Sequence, residues 1–193
     1  MQILGGGTLR APFLRDMNPD FSKNHYALFD LPLAYALDTP ALERAYREVQ
    51  REVHPDRFVT ASDAEKRLAA QWATQANEAY RTLKSPLNRG RYFLSLNGID
   101  TEEERNTAMP LEFLMQQMEW REVLEDAKQA QNINALESLL AEMQLDAKTL
   151  QLSLVDYLDI KKDTIAATDA TRKLIFIDKV CADILKAIEH LET

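Results

Sequence analysis

Arg44-Ala45-Tyr46-Arg47-Glu48-Val49-Gln50-Arg51-Glu52-Val53 runs directly into His54-Pro55-Asp56-Arg57-Phe58. Leu42, Tyr46, Val49 and Val53 recur at i, i+4, i+7 and i+11, which is one face of a helix. Arg44, Arg47 and Arg51 keep the same spacing two residues out of step. At about 100° per residue they therefore lie on roughly the opposite side. Pro55 ends the helix, because the residue before a proline is driven out of the α region and the ring blocks continuation. The stretch is thus a basic helical rod with a rigid His-Pro-Asp tip. Taken alone, the pattern also describes an ordinary solvated face closing in a turn.

The flanking segments decide between these. Upstream is the short apolar run Tyr26-Ala27-Leu28-Phe29-Asp30-Leu31; downstream is Ala73-Thr74-Gln75-Ala76-Asn77-Glu78-Ala79-Tyr80-Arg81-Thr82-Leu83. This order resembles the J-domain: a short first helix, a basic second helix, a His-Pro-Asp loop and an antiparallel third helix rich in alanine and aromatics. The stripe Leu68, Trp72, Ala76, Ala79 or Tyr80, and Leu83 has the spacing to pack on Leu42, Tyr46, Val49 and Val53. A hairpin with the tip at its end is expected.

Composition agrees with an all-α protein of one or two domains. The chain has 193 residues, 46% of them hydrophobic and 28% charged, with only 5 Gly and 7 Pro. Turn-rich β architecture is disfavoured by that scarcity. No apolar run approaches the roughly 20 residues of a membrane span. One cysteine excludes an internal disulfide framework and fits a reducing, cytoplasmic setting. Up to Asn97 there are 13 Lys and Arg against 11 Asp and Glu; from Gly98 there are 10 against 20. The first part is slightly basic and the second strongly acidic, so two domains with different partners are expected. Nucleic-acid binding is not, since it calls for a dominant basic surface.

Along the chain, residues 1–24 hold Gly5-Gly6-Gly7, Pro12 and Pro19 without periodicity and are expected to be a disordered extension. The J-domain is assigned to residues 25–97. Its first helix should run from His25 to Leu31, its second begin after an Asp38 or Thr39 cap with Pro40 in the first turn, and its third follow Ser62 or Asp63. A fourth helix opens at Pro86. Residues 98–110, with Gly98, Glu102-Glu103-Glu104 and Pro110, form the linker candidate. Three helices are then expected over Leu111–Gln131, Ile133–Leu158 and Thr168–Leu191, making a second domain of residues 111–193 with a three-helix bundle.

The first of these helices has two apolar faces. Phe113, Trp120, Leu124 and Ala127 form a narrow core stripe. Leu111, Leu114, Met115 and Met118 fall on the far side among Glu119, Glu122, Glu125 and Asp126. An apolar patch with a carboxylate rim suits a partner surface, and methionines suit adaptable contacts. Packing against the rest of the protein accounts for the pattern equally well. In the last helix Leu174, Ile177, Cys181, Ile184 and Ile188 make the core stripe and Phe176 lies off it. Cys181 then reads as a small buried apolar residue.

Phe113-Leu114-Met115-Gln116-Gln117-Met118-Glu119-Trp120-Arg121-Glu122-Val123-Leu124 is similar to the helix by which the HscB family of co-chaperones binds an IscU-type iron–sulfur scaffold protein. Phe176, within Arg172-Lys173-Leu174-Ile175-Phe176-Ile177-Asp178-Lys179, matches a family aromatic on that surface. The resemblance runs from about Tyr26 to the C-terminus and implies an L-shaped pair of helical domains. It implies scaffold binding by Leu114, Met115, Met118, Glu119, Glu122, Asp126 and Phe176. It implies docking of a DnaK/HscA-type chaperone by His54, Pro55, Asp56 and Arg57 together with Arg44, Arg47 and Arg51, and stimulation of its ATP hydrolysis. No cofactor, metal, nucleic acid or membrane enters this account; the alternative is a general J-domain co-chaperone with other clients. Two departures stand out: His25 replaces a usual aromatic, and Arg57 replaces a usual lysine. Enzymatic chemistry is disfavoured, because the three histidines, His25, His54 and His190, are far apart in sequence. No nucleophile elbow, phosphate loop or ligand cluster accompanies them.

Overall fold

The computed structural model describes residues 24–101 and 109–192. The proposed extension before Asn24 and the Glu102-Glu103-Glu104 run lie outside these residues. Every regular element among them is helical, as expected: α1 His25–Leu28, α2 Thr39–Glu52, α3 Asp63–Lys84, α4 Pro86–Leu96, α5 Leu111–Gln129, α6 Ile133–Val155 and α7 Thr164–Leu191. A 3-10 turn covers Pro55–Phe58 and a π-helical turn Asp156–Lys161. By packing, the described chain forms two units: residues up to Leu33 with Asp38–Leu83, and Ala34–Leu37 with Lys84 onward.

The first unit is the expected hairpin. Asn24 caps α1, its side chain accepting the Ala27 N–H at 2.9 Å. The helix ends three residues earlier than Pro32 implied. Asp30 turns left-handed (φ 53°), and the Leu31 and Asp30 N–H groups close back onto the Tyr26 and Ala27 carbonyls. That Schellman closure satisfies the last carbonyls before proline is reached. Asp38 caps α2 and Pro40 stands in its first turn. Ser62 and Glu65 form a reciprocal capping box at the start of α3: the Ser62 N–H donates to Glu65 Oε2 at 2.9 Å and the Glu65 N–H to Ser62 Oγ at 3.3 Å.

Leu42 and Val53 of the α2 stripe are buried, as are Ala69, Trp72, Ala76, Ala79 and Leu83 of α3. Tyr46 stacks on Tyr80, their centroids 4.1 Å apart and their planes at 14°. The Tyr46 hydroxyl and Gln50 Nε2 both donate to Asn77 Oδ1 at 2.7 Å. Helical spacing does not foretell that polar clamp; it pins the two helices in register.

In the second unit α4 belongs with the C-terminal helices, which corrects its assignment to the hairpin domain. Its buried face is Arg89, Gly90, Phe93 and Leu94. A Cβ on Gly90 would stand 3.5 Å from Tyr35 and Thr171 and 3.6 Å from Leu154. Those are ordinary contact distances, so α4 lies close enough to its neighbours to leave room for a methyl here and for little more. The bundle is therefore three long helices plus α4.

Phe113, Trp120, Leu124 and Ala127 of α5 join Leu136, Leu139 and Met143 of α6 and Ile177, Val180 and Ile184 of α7 in one core. Two expectations need correction here. Helix α7 starts at Thr164, four residues before Thr168, because Asp163 caps it by accepting the Ala166 N–H. Cys181 is only half-buried; Val180 takes the fully buried place on that stripe.

Candidate functional site

Two surfaces carry the predicted site residues, one on each unit. In the first unit, Val53 and Phe58 are buried on either side of the tip and anchor it. Between them His54 is extended (φ −60°, ψ 133°), as a residue before proline must be. Its Nδ1 accepts the Asp56 N–H at 3.3 Å, and its carbonyl accepts the Arg57 N–H at 3.0 Å. These bonds fold the tip into a 3-10 turn that projects the Asp56 carboxylate outward, its side chain 87% exposed.

Arg44, Arg47 and Arg51 are all exposed on α2. Among the described residues the ion pairs of Arg44 and Arg47 are long, 3.9 Å to Asp38 and Glu43, and Arg47 Nε also donates to the Glu43 carbonyl at 3.2 Å. Exposed pairs of this kind are worth at most about 1 kcal/mol and exchange readily for a partner's carboxylate. Arg57 differs: its Nη1 is 2.9 Å from Glu52 Oε1, so it braces the tip from within.

On the second unit, Met115 and Met118 are 57% and 71% exposed and Leu114 is 40% exposed. Glu119, Glu122 and Asp126 are exposed beside them. Phe176 is half-buried. It stacks on Trp120 at 6.2 Å between centroids and meets Phe113 edge-to-face at 5.8 Å. The off-stripe position of Phe176 thus reflects a ring with one face on the core and the rest toward solvent. Trp120 is locked in turn, its Nε1 donating to Glu142 Oε1 at 3.1 Å. Sequence reasoning passed over two neighbours. The Arg121 guanidinium lies 5.5 Å from the Phe176 centroid, and Lys173 Nζ lies 5.3 Å from that of Phe113. No spacing along either helix signals them, because each cation sits on a ring carried by the other helix.

Comparison with known proteins is decisive at this point. A co-chaperone protein HscB homolog from Burkholderia multivorans is 54% identical over 170 residues, covering 88% of this chain and 97% of the relative. The chain belongs to the HscB co-chaperone family. A second HscB homolog, from Paraburkholderia phymatum, is 53% identical over 169 residues, 88% of this chain and 96% of its own length. Residues 109–185 match the family described as the HSCB C-terminal oligomerisation domain. Among solved structures, chaperone HscB from Vibrio cholerae aligns with a TM-score of 0.76 at 36% identity, covering 88% of this chain and 99% of that one. Human co-chaperone protein HscB aligns with a TM-score of 0.83 at 29% identity, over 97% and 95%. The fold and the J-type co-chaperone assignment follow together. Among the described residues no helix is long and apolar enough to cross a membrane. No cluster of three or more His, Cys, Asp or Glu side chains among them suits a metal ion.

Proposed function

We propose that this HscB-family chain docks on a DnaK/HscA-type chaperone through the His-Pro-Asp tip, stimulates its ATP hydrolysis, and delivers an IscU-type scaffold protein to it during iron–sulfur cluster assembly. The observation that carries the first half is the exposed Asp56 carboxylate, held out by a turn anchored at Val53 and Phe58. A carboxylate fixed in this way can pair bidentately with a chaperone arginine and set the register of the complex. The exposed arginines of α2 speed the encounter and line its rim. Stimulation requires that the tip bind the hydrolysis-competent state of the chaperone better than the resting state, since only differential affinity shifts a population.

The second half rests on the exposed Leu114, Met115 and Met118 with their carboxylate rim, an apolar centre with polar edges. The test uses the full chain and the HscA-type chaperone of the same genome. Asp56→Asn, unchanged in circular dichroism and melting, should bring ATP hydrolysis back to the chaperone's basal rate. Undiminished stimulation overturns the proposal.

A further inference from the structure

The face around Met115 and Met118 is lopsided in charge. Counting about 100° per residue around α5 from Phe113, Leu114 and Met118 lie near 100–140° and Met115 near 200°, with Glu119, Glu122 and Asp126 near 180–240°. Glu125, near 120°, is paired with Lys128 at 3.0 Å. Arg121, near 80°, takes the opposite edge. There the aromatic pair Phe113 and Phe176 carries Arg121 over one ring and Lys173 over the other. Among the described residues no carboxylate lies within ion-pair distance of either cation. Two cations without such partners are conspicuous in a stretch where acidic residues outnumber basic ones by two to one. Seated on rings, they are restrained, so a carboxylate meeting them orders less side chain than it would on a free lysine or arginine.

We propose that Arg121 and Lys173 receive a carboxylate-bearing segment of the client protein that covers Leu114, Met115 and Met118. This rests on the assignment of that patch as the client surface. With carboxylates on one edge and ring-seated cations on the other, the surface accepts its client in a single orientation: basic groups toward Glu119 and Asp126, acidic groups toward Phe176. A client presented the other way round meets like charges on both edges.

The experiment measures binding of the full chain to the IscU-type scaffold of the same genome near physiological salt. Arg121→Gln with Lys173→Gln should weaken binding about five- to tenfold, chiefly through slower association, because rim charges act on the encounter. Arg121→Lys should hold near wild-type affinity, and Arg121→Glu with Lys173→Glu should weaken it further than the glutamine pair. Met115→Ala with Met118→Ala is the control. If the methionine pair weakens binding and the glutamine pair does not, the cation seat is refuted and the client surface stands; if neither weakens it, both fall. Two other results also overturn the proposal. One is a glutamine pair that changes sedimentation of the chain alone without changing scaffold affinity, which assigns the seat to a second copy. The other is a Glu102→Gln, Glu103→Gln, Glu104→Gln variant that tightens binding only while Arg121 and Lys173 are present, which assigns it to the chain's own carboxylates.

Discussion

Asp159 accepts the backbone N–H of Tyr35 at 2.7 Å across 124 positions of chain, and its second carboxylate oxygen takes the Ala36 N–H at the same distance. The Arg89 guanidinium lies 4.9 Å from the centre of the buried Tyr35 ring. Burial pushes the Tyr35 hydroxyl up to about 12, against the pull of Arg89. The segment 34–37, which sequence order places between α1 and α2, is in this way fastened into the second unit. Asp159→Ala should lower the unfolding free energy of that unit by about 1–3 kcal/mol, since two N–H groups lose a charged acceptor. Chemical denaturation checks this, and an unchanged midpoint would show that water replaces the clip at no cost.

Gly90→Ala should stabilise the protein by about 0.5–1 kcal/mol. The residue sits inside α4, and the new methyl meets Tyr35 and Thr171 at ordinary contact distance. Gly90→Val should do the reverse, because its branches overpack the same three neighbours and such crowding costs about 1–3 kcal/mol. Thermal melts of the two variants should move in opposite directions.

Burial holds the His25 imidazole below its ordinary value, with Glu78 pulling the other way. A histidine with a depressed folded value is protonated first in the unfolded chain. Its effect is absent above about pH 6.5 and grows as pH falls from there through the folded value. The stability of the first unit should therefore fall as pH is lowered below about 6.5. His25→Gln should flatten that part of the curve; identical profiles for the two proteins would exclude His25 as the cause.

Met115→Ala with Met118→Ala should change stability by less than about 0.5 kcal/mol, as both side chains are largely exposed. Scaffold affinity should fall about tenfold or more if the pair lies at the centre of the contact. Stimulation of the chaperone by the variant without scaffold should stay at the wild-type level.

Cys181 is half-buried, and burial, with Asp178 nearby, raises its thiol above the ordinary value. Little thiolate forms at neutral pH, so labelling by a disulfide reagent at pH 7.5 should run at least several-fold slower than for free cysteine. Fast labelling would mean that the last helix opens readily around this residue.

Helical periodicity is a local property, and it sufficed for much of this protein. Leu42, Val53, Trp72, Ala76, Phe113, Trp120, Leu124 and Ile177 were all legible as core from spacing, and all are buried. The proline after His54 and the exposed arginines two steps out of phase were legible for the same reason. Capping residues marked the starts of α2 and α3, whereas the left-handed Asp30 and the π-helical turn before Lys162 moved two boundaries that composition alone had suggested.

What the sequence by itself determined is which residues share a face, which faces are apolar, and where a proline must stop a helix, because those follow from fixed backbone geometry over a few residues. Only the tertiary structure decided what each face meets. Helix α4 joined the second unit, Asp159 found the Tyr35 backbone, and Arg121 came to rest on Phe176. Those pairings depend on how distant helices cross, and no spacing along one helix encodes the identity of its neighbour.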